Sequence, residues 1–179
     1  MTDELLMIAV KHGELEKASE LFDRYHKRLY NFFVKITFDR ELGHDLTQNV
    51  FLRMIRYRGT YKEDKQFKAW IYQLARNIYA DHFRRNKMMY SDYTGVEDLK
   101  NKIAAVDEVM VQDEKEKLLY ISLFKLAPEQ REILILTRFQ QMKYEEVAQI
   151  LDCSVANVKV KVHRAIKQLR EKYFELEKI

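Results

Sequence analysis

The sequence has very little proline, glycine and cysteine: one proline, four glycines and one cysteine among 179 residues. β-Sandwiches and β-barrels need many turns, and turns consume glycine and proline. Rossmann and P-loop nucleotide sites need clustered glycines, and none occur here. A single cysteine also excludes a disulfide scaffold and a zinc site built from cysteines.

The sequence also has no long apolar run. No segment approaches the roughly 18 uninterrupted apolar residues that a membrane-spanning helix needs. Asp3 and Glu4 stand near the N-terminus, where a secretory signal would carry basic residues. Hydrophobic residues make up 47% and charged residues 34% of the chain, which excludes a disordered tail. We therefore expect a reduced, cytoplasmic protein that does not insert into a membrane.

Charged residues divide the chain into three blocks. The net charge of +4 is made up of +5 in residues 1–87, −4 in residues 88–113 and +3 in residues 114–179. A basic block suggests a polyanionic partner, but a solvated helix surface explains the charge alone equally well. Because the acidic stretch has no clear helical periodicity, we interpret residues 88–106 as a linker between domains at 1–87 and 107–179.

Apolar residues recur at three- and four-residue steps in both basic blocks, as in amphipathic helices. In the first block they predict about four helices, with a loop at 58–62. In the second block they predict one helix before Pro128, one beginning at Pro128, a short one over 144–151 and a long one over about 155–173, capped by Ser154. The predicted fold class is all-α, with two small helical domains joined by a flexible linker.

The last two predicted helices and the three residues between them form a helix-turn-helix signature. Residues 155–172 carry six cations and one anion. A helical wheel places one group of residues opposite the apolar arc or on its flanks: Ala156, Asn157, Lys159, Val160, Lys161, His163, Arg164 and Lys167. Such an arc can enter a major groove, where Val160 would touch a thymine methyl and arginine would pair with guanine. Basic helical hairpins and single exposed valines are also common, so this pattern alone leaves DNA recognition open.

Further segments are similar, in order and spacing, to conserved motifs of bacterial sigma factors. They are the core-binding helix at 45–53, the promoter-melting helix at 67–85, the opening of the last domain at 126–132 and 144–148, and the recognition helix at 159–165. The short length and the two-domain plan resemble the extracytoplasmic-function group, over about residues 15–173. The resemblance implies a promoter-specificity subunit that is no enzyme, with no catalytic residues, metal site or cofactor.

The resemblance also implies partners and site residues. Core RNA polymerase, through the clamp helices of β′ and the β flap, promoter DNA and an anti-sigma factor are the expected partners. The clamp helices would meet one side of a helix, formed by Asp45, Gln48, Asn49 and Arg53. Asn49 stands where the family usually has an acidic residue.

The expected DNA contacts lie in both domains. At the minus-ten element, a loop at 59–66 would hold a flipped base, with Tyr61 stacking, Asn77 on a base edge, and Arg84 and Arg85 nearby. Trp70 is assigned to the core. The expected contacts at the minus-thirty-five element are Arg138 and Tyr144 with phosphates, and Asn157, Lys159, Val160, Lys161, His163 and Arg164 on the recognition helix.

Two other functions could share parts of this sequence pattern. A helix-turn-helix regulator that binds duplex DNA without polymerase would have no need of the motifs at 45–53 and 67–85. A metal phosphohydrolase with a His-Asp dyad would use His26, the pair His44 and Asp45, and either Asp64 or Asp81. Such scattered sets often arise by chance, so the enzyme is the weakest hypothesis.

Overall fold

The computed structural model describes residues 1–86 and 113–178, and within these ranges all regular structure is helical. The α-helices are α1 (Asp3–Lys11), α2 (Ala18–Thr37), α3 (Arg40–Arg56), α4 (Phe67–Arg85), α5 (Glu114–Phe124), α6 (Pro128–Leu134), α7 (Tyr144–Leu151) and α8 (Val155–Glu177). Short 3₁₀ turns span Leu15–Lys17 and Arg58–Thr60. The all-α prediction is confirmed for this part of the chain. The predicted linker at 88–106 lies outside the described residues.

Helices α2 and α3 form the centre of the first domain. Most of the apolar residues that recur along α2 are buried, with Leu29, Phe32 and Phe33 fully enclosed, but Phe22 is 42% exposed. Gly43 lets the two helices approach closely, because a Cβ atom there would lie only 2.7 Å from Val34 Cγ2. Asp39 caps α3 by accepting a hydrogen bond from the Leu42 N–H at 3.0 Å.

Helix α1 connects the starts of α2 and α4. Asp3 accepts hydrogen bonds from Arg24 Nη1 at 2.6 Å and from the Tyr25 hydroxyl at 2.5 Å. Glu4 Oε1 accepts one from the Phe67 N–H at 3.2 Å, and so supplies an acceptor to the first turn of α4. The first helix therefore fixes the position of α4, the helix that resembles the promoter-melting element.

Arg131 is the polar centre of the second domain. Its buried guanidinium donates to the carbonyls of Leu123 at 3.3 Å and Leu126 at 3.2 Å, and to that of Phe124. It also donates to the Ile36 carbonyl of α2 at 3.0 Å. Burial lowers the pKa of this guanidinium, partly offset by the nearby Tyr79. Arg131 thus joins the ends of α5 and α2.

The helix that begins at Pro128 ends at Leu134, although the apolar pattern of the sequence continues to Leu136 and Thr137. A π-helical turn spans Ile135–Phe139, closed by the Gln140 N–H on the Ile135 carbonyl at 2.8 Å. Helix α7 has the predicted bounds, and α8 begins as predicted but continues to Glu177. The Ser154 hydroxyl caps α8 by accepting from the Asn157 N–H at 3.1 Å.

Candidate polymerase and nucleic-acid interfaces

The predicted core-binding residues lie on α3 with unequal exposure. Asp45 and Gln48 are exposed, whereas Asn49 and Arg53 are half-buried. Arg53 Nη1 lies 3.3 Å from Asp81 Oδ2 on α4, so its charge is already partly compensated. Asp45 and Gln48 are therefore the more accessible polar groups of this set.

Sequence reasoning missed an apolar part of the same surface. The Leu52 side chain is 68% exposed and lies one turn after Gln48. Phe22 on α2 is 42% exposed and stacks on His26, with ring centroids 4.8 Å apart. The sequence signal for Leu52 was its position outside the buried stripe of α3, which includes Val50 and Met54.

The loop before α4 buries Tyr61, while Trp70 packs against the core and stays half-buried. Tyr61 is only 1% exposed, and its hydroxyl donates to the Lys65 carbonyl at 2.7 Å. Burial raises the pKa of Tyr61 to about 12, with smaller contributions from nearby carboxylates. In this arrangement its ring has no free face for the predicted base stacking. Trp70, assigned to the core, is half-buried and lines a cavity of about 560 Å³ beside the loop.

Helix α4 presents two groups of polar residues. Asn77, Arg84 and Arg85 are exposed, and Arg84 Nη2 contacts Asp81 Oδ1 at 2.7 Å. On the neighbouring face of α4, polar side chains such as Arg76 contact the second domain instead. The three predicted minus-ten residues that lie on α4 thus remain accessible while the neighbouring face is covered.

The polar arc predicted for α8 is exposed. Val158, Val162 and Ala165 are buried against the domain. The exposed residues are Ala156, Asn157, Lys159, Val160, Lys161, His163, Arg164 and Lys167. Val160 is 47% exposed. The surface is therefore basic, with one apolar side chain among its cations.

The two predicted phosphate contacts outside α8 differ in exposure. Arg138, in the π-helical turn, is exposed, and Tyr144, the first residue of α7, is half-buried. Lys161 and Arg164 share a groove with Glu129 and Gln130 of α6. This groove therefore combines two cations of α8 with a carboxylate and an amide of α6.

Two family models match the two domains separately. Sigma-70 region 2 matches residues 21–88, which cover most of α2 and all of α3 and α4, and Sigma-70 region 4 matches residues 123–169. The ECF RNA polymerase sigma factor SigM of Bacillus subtilis is 30% identical over 156 residues, covering 86% of this chain and 93% of the relative. The chain belongs to the extracytoplasmic-function sigma factors. This sigma factor is thus a promoter-specificity subunit of RNA polymerase and not an enzyme.

Other similar proteins agree with this assignment. SigX of Bacillus subtilis is 30% identical to this sigma factor over 161 residues, covering 87% of the chain and 82% of the relative. Two solved structures share its fold. CnrH in complex with the cytosolic domain of CnrY has a TM-score of 0.71 at 21% identity, covering 94% of this chain and 95% of that one. RpoE with the anti-sigma factor NepR from Bartonella quintana has a TM-score of 0.62 at 19% identity, covering 86% and 94%.

Among the described residues, no helix is both long and apolar enough to cross a membrane.

Proposed function

We propose that this sigma factor contacts core RNA polymerase through the exposed side of α3. Asp45 and Gln48 would supply polar contacts to the clamp helices of β′, and Leu52 an apolar one. An exposed large apolar side chain beside polar groups is typical of the centre of a protein interface. The β flap is the expected partner of the second domain, by the family resemblance.

The polar arc of α8 is the observation that carries the DNA-binding proposal. Its apolar side is buried and its opposite side exposes cations around Val160. In the major groove of the minus-thirty-five element, lysines would contact phosphates while Val160 and Arg164 contact base edges. Helix α8 also has its N-terminus free to face a phosphate, since the Ser154 cap satisfies only one of its first N–H groups.

Helix α4 and the loop before it form the proposed minus-ten site. Asn77 would hydrogen-bond a base edge, and Arg84 and Arg85 would hold the backbone. The cavity beside Trp70 is the proposed place for an extruded base, with Trp70 rather than Tyr61 as the aromatic group. Unstacking costs a few kcal/mol, and contacts to the captured base would offset it.

Regulation by an anti-sigma factor is part of the proposal. The solved RpoE structure contains the anti-sigma factor NepR, and CnrH is bound to the cytosolic domain of CnrY. We extend this kind of partner to the present chain and place its activity in the cytoplasm, where RNA polymerase acts.

Co-elution with core RNA polymerase, followed by transcription from a promoter library, tests the proposed function. We expect the chain to elute with core enzyme and to direct initiation at a defined pair of upstream elements. A chain that fails to elute with core, yet binds duplex DNA tightly and specifically, would instead be a helix-turn-helix regulator.

A further inference from the structure

Helix α1 lies before residue 21, where the match to Sigma-70 region 2 begins, so the family assignment gives it no role. It is nevertheless anchored in the first domain. Leu6, Met7 and Val10 are fully buried, and Asp3 accepts hydrogen bonds from two residues of α2. A helix held in this way can act as a fixed support for the parts of the chain that it contacts.

Glu4 of α1 supplies a cap to α4. Gln66, at the N-cap position of α4, makes no side-chain hydrogen bond to the helix. The Glu4 carboxylate accepts from the Phe67 N–H at 3.2 Å instead. A carboxylate is also favoured at a helix N-terminus by the helix dipole. Glu4 therefore fixes the point at which the loop at 61–66 ends and α4 begins.

Lys11 of α1 holds the middle of the same loop. Its Nζ atom lies 3.0 Å from Glu63 Oε1. The two neighbours of Glu63, Lys62 and Asp64, line the cavity beside Trp70. Consecutive side chains of the loop are thus divided between α1 and the cavity. A partly exposed ion pair contributes little to the stability of a whole domain, so we expect its loss to alter the loop rather than the fold.

Tyr61 connects these contacts through the interior of the loop. Its hydroxyl donates to the Lys65 carbonyl at 2.7 Å and so closes the loop. The centroid of its ring lies 6.3 Å from that of Phe67 and 5.3 Å from that of Trp70. Phe67 is the residue whose N–H meets Glu4, and Trp70 lines the cavity. A displacement of the loop end would therefore reach the cavity wall through these packed rings.

We propose that Glu4 and Lys11 are positioning residues for the base pocket, so that α1 determines how strictly the pocket selects a base of the minus-ten element. This inference rests on the proposed role of the cavity as the place for an extruded base. A flipped base is read by hydrogen bonds, and a site discriminates only if its supporting residues hold those groups in place. Glu4 and Lys11 touch no DNA themselves and act through the loop.

Three variants test the cap. Glu4→Met keeps the approximate length of the side chain but removes the acceptor for the Phe67 N–H. Glu4→Gln retains an acceptor oxygen without the charge. Lys17→Glu, in the first domain, is the common control for charge changes, because its ion pair with Glu20 at 3.5 Å does not involve the loop. Circular dichroism verifies that each variant folds.

The ion pair is tested by reversing its charges. Lys11→Glu replaces the attraction to Glu63 with repulsion, and adding Glu63→Lys restores a pair of opposite sign. The control pair of Lys17 with Glu20 has similar exposure, so Lys17→Glu makes a matched charge change. Recovery in the double variant shows that the pairing itself matters, rather than the charge at either position.

The order of the loop is measured on the full free chain by amide hydrogen exchange and by acrylamide quenching of Trp70, the only tryptophan in the sequence. We expect Glu4→Met to speed exchange of the loop amides about tenfold, the factor that corresponds to one lost hydrogen bond. Lys11→Glu should speed it about threefold, as for an exposed ion pair. Trp70 should become easier to quench in both, while exchange in α2 stays unchanged. Unchanged loop exchange, or an equal increase in α2, overturns the proposal.

Base selection is measured with holoenzyme by transcription from a library randomised at both promoter elements. In Glu4→Met, discrimination at one minus-ten position should fall about tenfold, the size of one good base contact, with the upstream preference unchanged. Glu4→Gln and the double variant of Lys11 and Glu63 should keep most of the wild-type discrimination, and Lys17→Glu all of it. An equal loss at both elements would indicate general damage to the protein and overturns the proposal.

The wild-type holoenzyme separates this inference from the proposed function. If it shows no preference at any minus-ten position, the proposed role of the cavity is refuted, and this inference with it. If it selects a base there and Glu4→Met selects that base equally well, the proposed function stands and only the role of α1 is refuted.

Discussion

Arg76 of α4 and Glu132 of α6 form a two-pronged ion pair between the domains, with nitrogen–oxygen distances of 2.6 and 3.2 Å. Arg76 Nη1 also donates to the Ile150 carbonyl at 3.3 Å. The next residue along the chain, Asn77, is exposed to solvent. Two adjacent residues of one helix thus face different surroundings, and only the face of Arg76 is covered.

An apolar contact also joins the two domains, between the C-terminal end of α2 and α5. Phe38, at the C-terminal cap of α2, meets Tyr120 with ring centroids 6.1 Å apart and Phe124 at 5.2 Å. Its φ of 53° is in the left-handed region, where glycine is favoured. Glycine at position 38 therefore removes the ring contacts without straining the helix end.

We expect Phe38→Gly to loosen the junction with no change of charge. Each of the two edge-to-face ring contacts that are lost contributes about 0.5–1.5 kcal/mol to the packing of the two domains. The free chain should bind single-stranded DNA more tightly and show a larger radius of gyration in solution scattering. Phe174→Gly, at an exposed ring of α8, serves as the comparison. A Phe38→Gly chain as compact as the wild type would show that the ion pairs alone hold the domains.

The contact between the two domains should depend on pH through Glu146, which meets Lys68 of α4. Burial alone would raise the pKa of Glu146, but the hydrogen bonds from Lys68 and from the Lys143 N–H outweigh it and lower the pKa below its ordinary value of about 4.5. The part of this lowering that comes from Lys68 means that the contact between the domains is stabilised above pH 4.5 and that this contribution is lost as the pH falls through the lowered value. The hydrogen bond from the Lys143 N–H lies within the second domain and does not depend on the contact between the domains.

Trp70 quenching across an acid titration measures this dependence. The wild type should open progressively below pH 4.5, and Glu146→Gln should lack that part of the transition. Identical titration curves for the two proteins would show that Glu146 does not contribute to the pH dependence of the contact.

Core binding should depend on both polar and apolar groups of α3. Asp45→Arg should abolish co-elution with core polymerase, because it places a cation where the exposed acid of this face stands. Leu52→Ala should weaken binding by about 1–2 kcal/mol, since Leu52 is 68% exposed in the free chain. Glu14→Arg, at an exposed position near the start of α2, should leave binding intact. Normal core affinity of both α3 variants would exclude this helix as the polymerase contact.

Local sequence signals predicted most of the helices. Ser154, the apolar periodicity and the short turn before it placed α7 and the start of α8 correctly. The pattern did not predict the π-helical turn after α6, because Ile135 and Leu136 are buried just as they would be in a continuous α-helix. The end of α8 was placed too early, since Leu176 is buried and extends the apolar stripe.

Contacts between residues that are far apart in the chain could not be predicted from the sequence. Tyr61 and Trp70 are nine positions apart, and only the folded loop decides which ring lies deeper. Glu132 and Glu146 have the same local pattern as solvated helix charges, so nothing nearby in the sequence marks them as partners of α4. The contact of these two glutamates with α4 could therefore be seen only in the folded chain.

Arg131 should be the most sensitive charged residue for stability. Its guanidinium satisfies several carbonyls, including that of Ile36 at 3.0 Å, and Arg131→Met would leave them buried without donors. We expect a loss of about 3 kcal/mol in the free energy of unfolding, and a smaller loss for Arg131→Lys, which keeps the charge but fewer donors. Arg138 is exposed, so Arg138→Met should change the free energy of unfolding by less than about 0.5 kcal/mol. Urea denaturation followed by circular dichroism compares the variants.

Helix α8 should read promoter bases through Arg164 and Val160. Both are exposed and one turn apart, so they can address neighbouring base pairs. Arg164→Ala should cost about 1–3 kcal/mol and relax preference at one upstream position, and Val160→Ser should shift preference away from one thymine.

Lys161→Ala separates backbone contacts from base contacts on the same helix. If Lys161 contacts a phosphate, its removal should weaken binding evenly across sequences. It should also lower the slope of log affinity against log salt concentration by about one. Transcription from a library with randomised upstream elements measures preference, and a salt titration of holoenzyme binding measures the slope. If Arg164→Ala leaves the preferred upstream sequence unchanged, the exposed arc of α8 does not read bases, and another surface of the second domain must face the promoter.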